Sequence, residues 1–150
     1  MQAVLVRALR AQRARIRARW EDLLRAERSS SPLANPDTLV HLLDLTLDEL
    51  LAAFSASELR RRPARHPDIV CPCGRNPLLV YFNSGRQATR EALVLAQAAM
   101  PSLAPGERDS SFADLEAIYG HIAHREIASF CAVCQFRQAA GSAPAYAEAR

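Results

Sequence analysis

Cys71-Pro72-Cys73-Gly74-Arg75-Asn76-Pro77 places two thiols in a tight turn that runs straight into the start of a helix. Asn76 supplies a side-chain acceptor for the first turn, and Pro77 has the fixed φ that suits a first helical position. The only other cysteines, Cys131 and Cys134, fall near the end of the last helical stretch. If the helices alternate in direction, as short connections suggest, the third helix begins beside the end of the fourth. All four sulfurs then meet at one end of the molecule.

Downstream of the turn, the third helix is expected to run to about Met100, with Leu78, Phe82, Gly85, Thr89, Ala92, Leu93, Ala96 and Met100 on its inward side. That side is rich in small residues. Gly85 costs about 1 kcal/mol relative to Ala in a helix interior, which points to close approach of a neighbouring helix. Pro101 and Pro105-Gly106 then turn the chain. A fourth helix is expected from about Glu107 to Gln138, with Phe112, Leu115, Ile118, Tyr119, Ile122, Ile127, Phe130 and Val133 on the core side.

Upstream, Arg60-Arg61-Arg62-Pro63 to Asp68 reads as a basic, proline-punctuated connection. Asn35-Pro36-Asp37 repeats the Asn-Pro start and opens a second helix to about Phe54, striped by Leu39, Leu43, Leu47, Leu50, Leu51 and Phe54. His41, Asp44 and Asp48 share another side, which reads as a solvated polar face. The first helix, Gln2 to Glu27, carries Val6, Leu9, Ile16, Trp20, Leu23 and Leu24 on one stripe among many arginines. Arg13 falls inside that stripe, and Glu126 inside the stripe of the fourth helix. Counting inward from a shared end sets the two side by side, either paired across the core or both turned to solvent.

The pattern predicts an all-α fold, an antiparallel up-down four-helix bundle with a metal-clamped end. Residues 1–140 form a single helical metal-binding domain, and residues 141–150 a flexible C-terminal tail.

Cys131 and Cys134 are spaced i, i+3, so both sulfurs share one side of a helix. With Cys71 and Cys73 they make the all-cysteine, four-ligand set typical of structural zinc, although Cys-x-Cys is shorter than the common spacing. Four thiolates around Zn²⁺ carry a net charge near −2. Arg75, the N–H groups that begin helix three and the Arg60–Arg65 run are placed to offset it. The same thiols can instead take an iron-sulfur cluster, cycle through a disulfide, or pack as small hydrophobes. His66, His121 and His124 are within reach of replacing one cysteine, but four cysteines already complete a structural site.

Of 150 residues, 19 are basic and 16 acidic, and every basic one is Arg. Together with the abundant Ala, this reads as the codon bias of a GC-rich bacterial genome. A net charge of +3 is a poor argument for nucleic acid. No secretory signal is expected, because Arg7, Arg10, Arg13 and Arg15 stand where an apolar stretch would be needed, and no apolar run approaches the roughly 20 residues of a membrane span. The expectation is a cytoplasmic protein, where paired cysteines hold metal or do redox chemistry more often than they form structural disulfides. No nucleophile elbow, phosphate-cradling loop or acid–base pair appears. That favours a non-enzymatic module with a protein partner.

Ala11 to Leu24, with its Arg, Trp and Leu pattern, and Thr38 to Phe54, with its Leu-Asp-Glu-Leu-Leu core, resemble the N-terminal helical sensor region of bacterial stressosome co-antagonist proteins. The resemblance covers about the first third of the chain. It implies a globin-like helical fold without haem, a homodimer, and a signal-input role ahead of an output domain. The four cysteines lie outside it.

Overall fold

A computed structural model describes residues 1–27, 35–55, 71 and 75–134, and among them the regular structure is entirely helical. The first apolar stripe folds as two segments, α1 (Ala3–Ala11) and α2 (Arg13–Ala26). At Gln12 (φ −94°, ψ 8°) the backbone N–H is shared between Ala8 O and Leu9 O, and Ile16 N then resumes the ladder on Gln12 O at 2.9 Å. The break leaves the stripe in phase, so Leu5, Val6, Leu9, Ile16, Trp20 and Leu24 are all buried.

Both Asn-Pro starts behave as local chemistry dictates. Asn35 Oδ1 accepts from Asp37 N at 3.0 Å and opens α3 (Pro36–Leu39); Asn76 Oδ1 accepts from Leu78 N at 2.9 Å and opens α5 (Pro77–Ala98). A 3₁₀ turn over Val40–Leu42 joins α3 to α4 (Leu43–Ala53). The whole second stripe, Leu39 to Phe54, is buried. Pro105 does not close the preceding turn as expected; it is the first residue of α6 (Pro105–Ala132). The Glu107 carboxylate accepts from Ala104 N at 3.0 Å and fixes that start. Val133, expected in the core, is 84% exposed because α6 ends one residue before it.

The small-residue side of α5 lies against the first stripe. Trp20 donates from Nε1 to Tyr81 O at 2.9 Å, and its ring centroid is 4.8 Å from that of Tyr81. Thr89, fully buried, donates to Gly85 O at 2.9 Å, and its hydroxyl also makes a 2.7 Å hydrogen bond with the phenol of Tyr119 on α6. Close approach at Gly85 is what the glycine permits.

Residue pairings fix the helix directions. Arg10 meets Ser55, Arg13 meets Asp48 and Arg25 meets Asp37, so the first rod is antiparallel to α4. Gln12 meets Ala92 and Trp20 meets Tyr81, so it is antiparallel to α5 as well. Gln97 meets Arg108, Thr89 meets Tyr119 and Asn76 meets Ile127, which makes α6 antiparallel to α5. Hence α4 and α5 run the same way and strict up-down alternation fails. Twenty residues separate Ser55 from Asn76, enough chain to return to the other end before α5 begins.

The packed pairs α2–α4, α4–α6, α6–α5 and α5–α2 form a ring, with α2 and α6 at opposite corners. This geometry overturns the Arg13–Glu126 pairing. Arg13 Nε and Nη2 bind Asp48 at 2.7 and 3.0 Å, and Nη2 also reaches Asp44 at 2.9 Å. Glu126 accepts from Arg125, which also holds Glu49 on α4 at 2.7 Å. The Asp44 and Asp48 row is thus the polar face that meets α2. Among the described residues no helix is long and apolar enough to cross a membrane.

Candidate metal centre

The α5–α6 hairpin sets the register that delivers the thiols. At its closed end the Arg108 guanidinium donates to Leu103 O and Gln97 O, each at 3.1 Å, and to Met100 O at 3.0 Å, tying the first turn of α6 to the end of α5 and to the turn between them. With that end fixed and Thr89 bonded to Tyr119 midway, the start of α5 falls beside the last turns of α6.

Cys71, 7% exposed, and the half-buried Cys131 lie sixty residues apart in sequence with their sulfurs 3.5 Å apart. That is far outside the roughly 2.0 Å of a disulfide. It is close to the edge of about 3.8 Å that two sulfurs share in a tetrahedron with metal–sulfur bonds of about 2.3 Å. The expected meeting of the two cysteine couples therefore holds for one member of each. Cys134 sits in the turn that ends α6, its N–H donating to Cys131 O at 3.3 Å. Cys73 and His66 lie outside the described residues, as do Arg60 to Arg65 and residues 141–150.

Burial pushes the Cys131 thiol above its ordinary pKa, and the neighbouring sulfurs of Cys71 and Cys134 act in the same direction. The Asn76 amide opposes them. Asn76 Nδ2 donates to Cys131 Sγ and to Ile127 O, both at 3.3 Å. In the sequence Asn76 reads only as a helix cap; its place between the Cys-x-Cys turn and α5 was the signal that it also borders the sulfurs.

His121 and His124 are exposed on α6. Among the described residues no three His, Cys, Asp or Glu side chains form a metal-ligating group, so neither histidine, nor Cys134, completes a trio with Cys71 and Cys131. The described residues thus bring together two sulfurs at near-tetrahedral separation and an N–H directed at one of them. Comparison with known proteins adds nothing to this geometry, since no family model matches the chain and no curated protein or solved structure is similar to it.

Proposed function

We propose that this protein is a non-enzymatic, zinc-stabilised helical module of the cytoplasm, with Cys71, Cys73, Cys131 and Cys134 as the four ligands. The observation that carries the reading is the 3.5 Å approach of Cys71 Sγ to Cys131 Sγ, one sulfur from each couple. Zinc bound there supplies a structural cross-link between the entry to α5 and the end of α6. Cys71 precedes α5 and Cys131 lies in the last turn of α6; Cys73 and Cys134 are assigned to the set on their sequence spacing alone.

The role is that of a protein-interaction or signal-input domain, in keeping with the sensor-like pattern of the first helices. Supporting it, Leu42 and Leu45 are 40% and 74% exposed and, with Leu78 and Phe82, line a cleft of about 210 Å³ between α4 and α5. Elemental analysis of protein purified under reducing, metal-replete conditions tests the zinc. One equivalent is expected, with four thiols becoming reactive after chelation. Less than about a tenth of an equivalent defeats the reading, and iron with visible absorption assigns the thiols to a cluster instead.

A further inference from the structure

We infer that Asn76 is the positioning residue of the thiol site, holding the start of α5 with its carbonyl oxygen while its amide nitrogen binds the Cys131 sulfur. The inference rests on the zinc reading above and names the group that orients one ligand.

Asn76 is only 3% exposed, and every polar atom of its side chain is used. Oδ1 accepts from Leu78 N at 2.9 Å, and only the oxygen can do so, which fixes the orientation of the amide. Nδ2 therefore faces α6, where it donates to Ile127 O and Cys131 Sγ. Those acceptors are four residues apart, one turn of a single helix face. One carboxamide thus ties the first turn of α5 to the last turn of α6 at the point where Cys71 approaches.

Capping alone does not account for asparagine here. Asp and Ser cap a helix about as well but offer no amide N–H, and the other Asn-Pro start shows what a cap by itself looks like. Asn35 makes the same bond to Asp37 N at 3.0 Å from an exposed position. A metal-bound thiolate keeps acceptor capacity and surplus negative charge, both of which an N–H satisfies. Removing such an outer-sphere partner characteristically weakens metal affinity about 10- to 100-fold.

The experiment is competition for zinc against a chelating dye, on the full chain, for the wild type, N76D, N76S, and N35D and N35S as capping controls. Far-ultraviolet circular dichroism and urea titration are recorded for each. Expected is a loss of at least about tenfold in zinc affinity for N76D and N76S, with N35D and N35S within about twofold of wild type. Wild-type affinity in both Asn76 variants overturns the inference and leaves the zinc site standing. A loss of affinity in N76S that merely follows its loss of helix, as in N35S, reduces Asn76 to a cap and also overturns it. A wild type that takes up no zinc defeats the zinc reading and this inference together.

Discussion

The indole of Trp20 covers the α-carbon of Gly85 so closely that a β-carbon built there would clash with the ring, 2.7 Å from Cη2 and nearer still to Cζ2 and Cε2. The ring cannot easily move away. Its Nε1 is bonded to Tyr81 O, Tyr81 packs on one side, and the Tyr119 centroid lies 6.5 Å distant. This contact joins the first rod to α5 and sets how near the two backbones come.

Gly85→Ala is therefore expected to lower stability although Ala is the better helix former. The gain in propensity is about 1 kcal/mol, whereas forcing a methyl group into a filled core costs about 1–3 kcal/mol, and here the obstacle is a rigid ring. A net loss of about 1 kcal/mol or more in urea unfolding is the expected result. Placing the change in a Trp20→Leu background should remove most of that loss. A stabilised Gly85→Ala in the native background would show that the indole does not lie there.

The Thr89 hydroxyl and the Tyr119 phenol form a second buried junction, between α5 and α6. Thr89→Val leaves the phenol without a partner and should cost about 1–3 kcal/mol. Tyr119→Phe should cost less, because Thr89 keeps its bond to Gly85 O. The double variant should fall short of the sum, since both changes delete the same bond. Burial also pushes the Tyr119 phenol up. With the folded value raised, its contribution is whole below the ordinary phenol pKa of about 10 and declines as pH rises beyond it. Tyrosinate absorbance from Tyr119 should accordingly appear only as the chain unfolds in alkali.

What the sequence disclosed was periodic or local. The stripes placed the helices, the two Asn-Pro pairs placed two of their starts, and Gly85 announced a close neighbour. Helix direction was not disclosed. The Ser55–Asn76 connection is long enough to let α5 run either way, and no periodicity distinguishes the two. The third and fourth helices were nevertheless set correctly against each other, because the short turn from Ala99 to Ala104 leaves an antiparallel hairpin as the ready solution. The approach of Cys71 to Cys131 survived the error in topology for that reason. The second role of Asn76 was hidden because a cap signal already explained the residue.

Acid should weaken the contact between the first rod and its neighbours. Between helices, hydrogen bonds from Arg17 to Asp44, Arg13 to Asp48 and Arg19 to Glu91 hold these carboxylates below their ordinary pKa values, and within α2 Arg25 does the same for Glu21. A depressed folded pKa gives stability that is present above the unfolded value and lost as pH falls through the folded one. The melting temperature should therefore be flat from neutrality to about pH 5 and decline below about pH 4. Because the pairs are largely exposed, the decline should shrink in high salt. Asp44→Asn with Asp48→Asn should flatten it, and an unchanged acid limb in that variant would assign the sensitivity to other groups.

Glu126 offers a sharp test of the helix arrangement. In an alternating bundle it would face Arg13 across the first and fourth rods, and its neutralisation would strand a buried arginine. Here α6 lies diagonal to α2, Arg13 is occupied by Asp44 and Asp48, and Glu126 is 43% exposed beside Arg125. Arg125 also retains Glu49, so removing the Glu126 charge leaves no cation unpaired. Glu126→Gln should shift the melting temperature by less than about 2 °C, as expected for an exposed ion pair in a chain of this size. Asp48→Arg, by contrast, sets like charges face to face between α2 and α4, and should destabilise the protein more at low salt than at high. A large loss from Glu126→Gln together with tolerance of Asp48→Arg would restore the alternating arrangement and displace the one described.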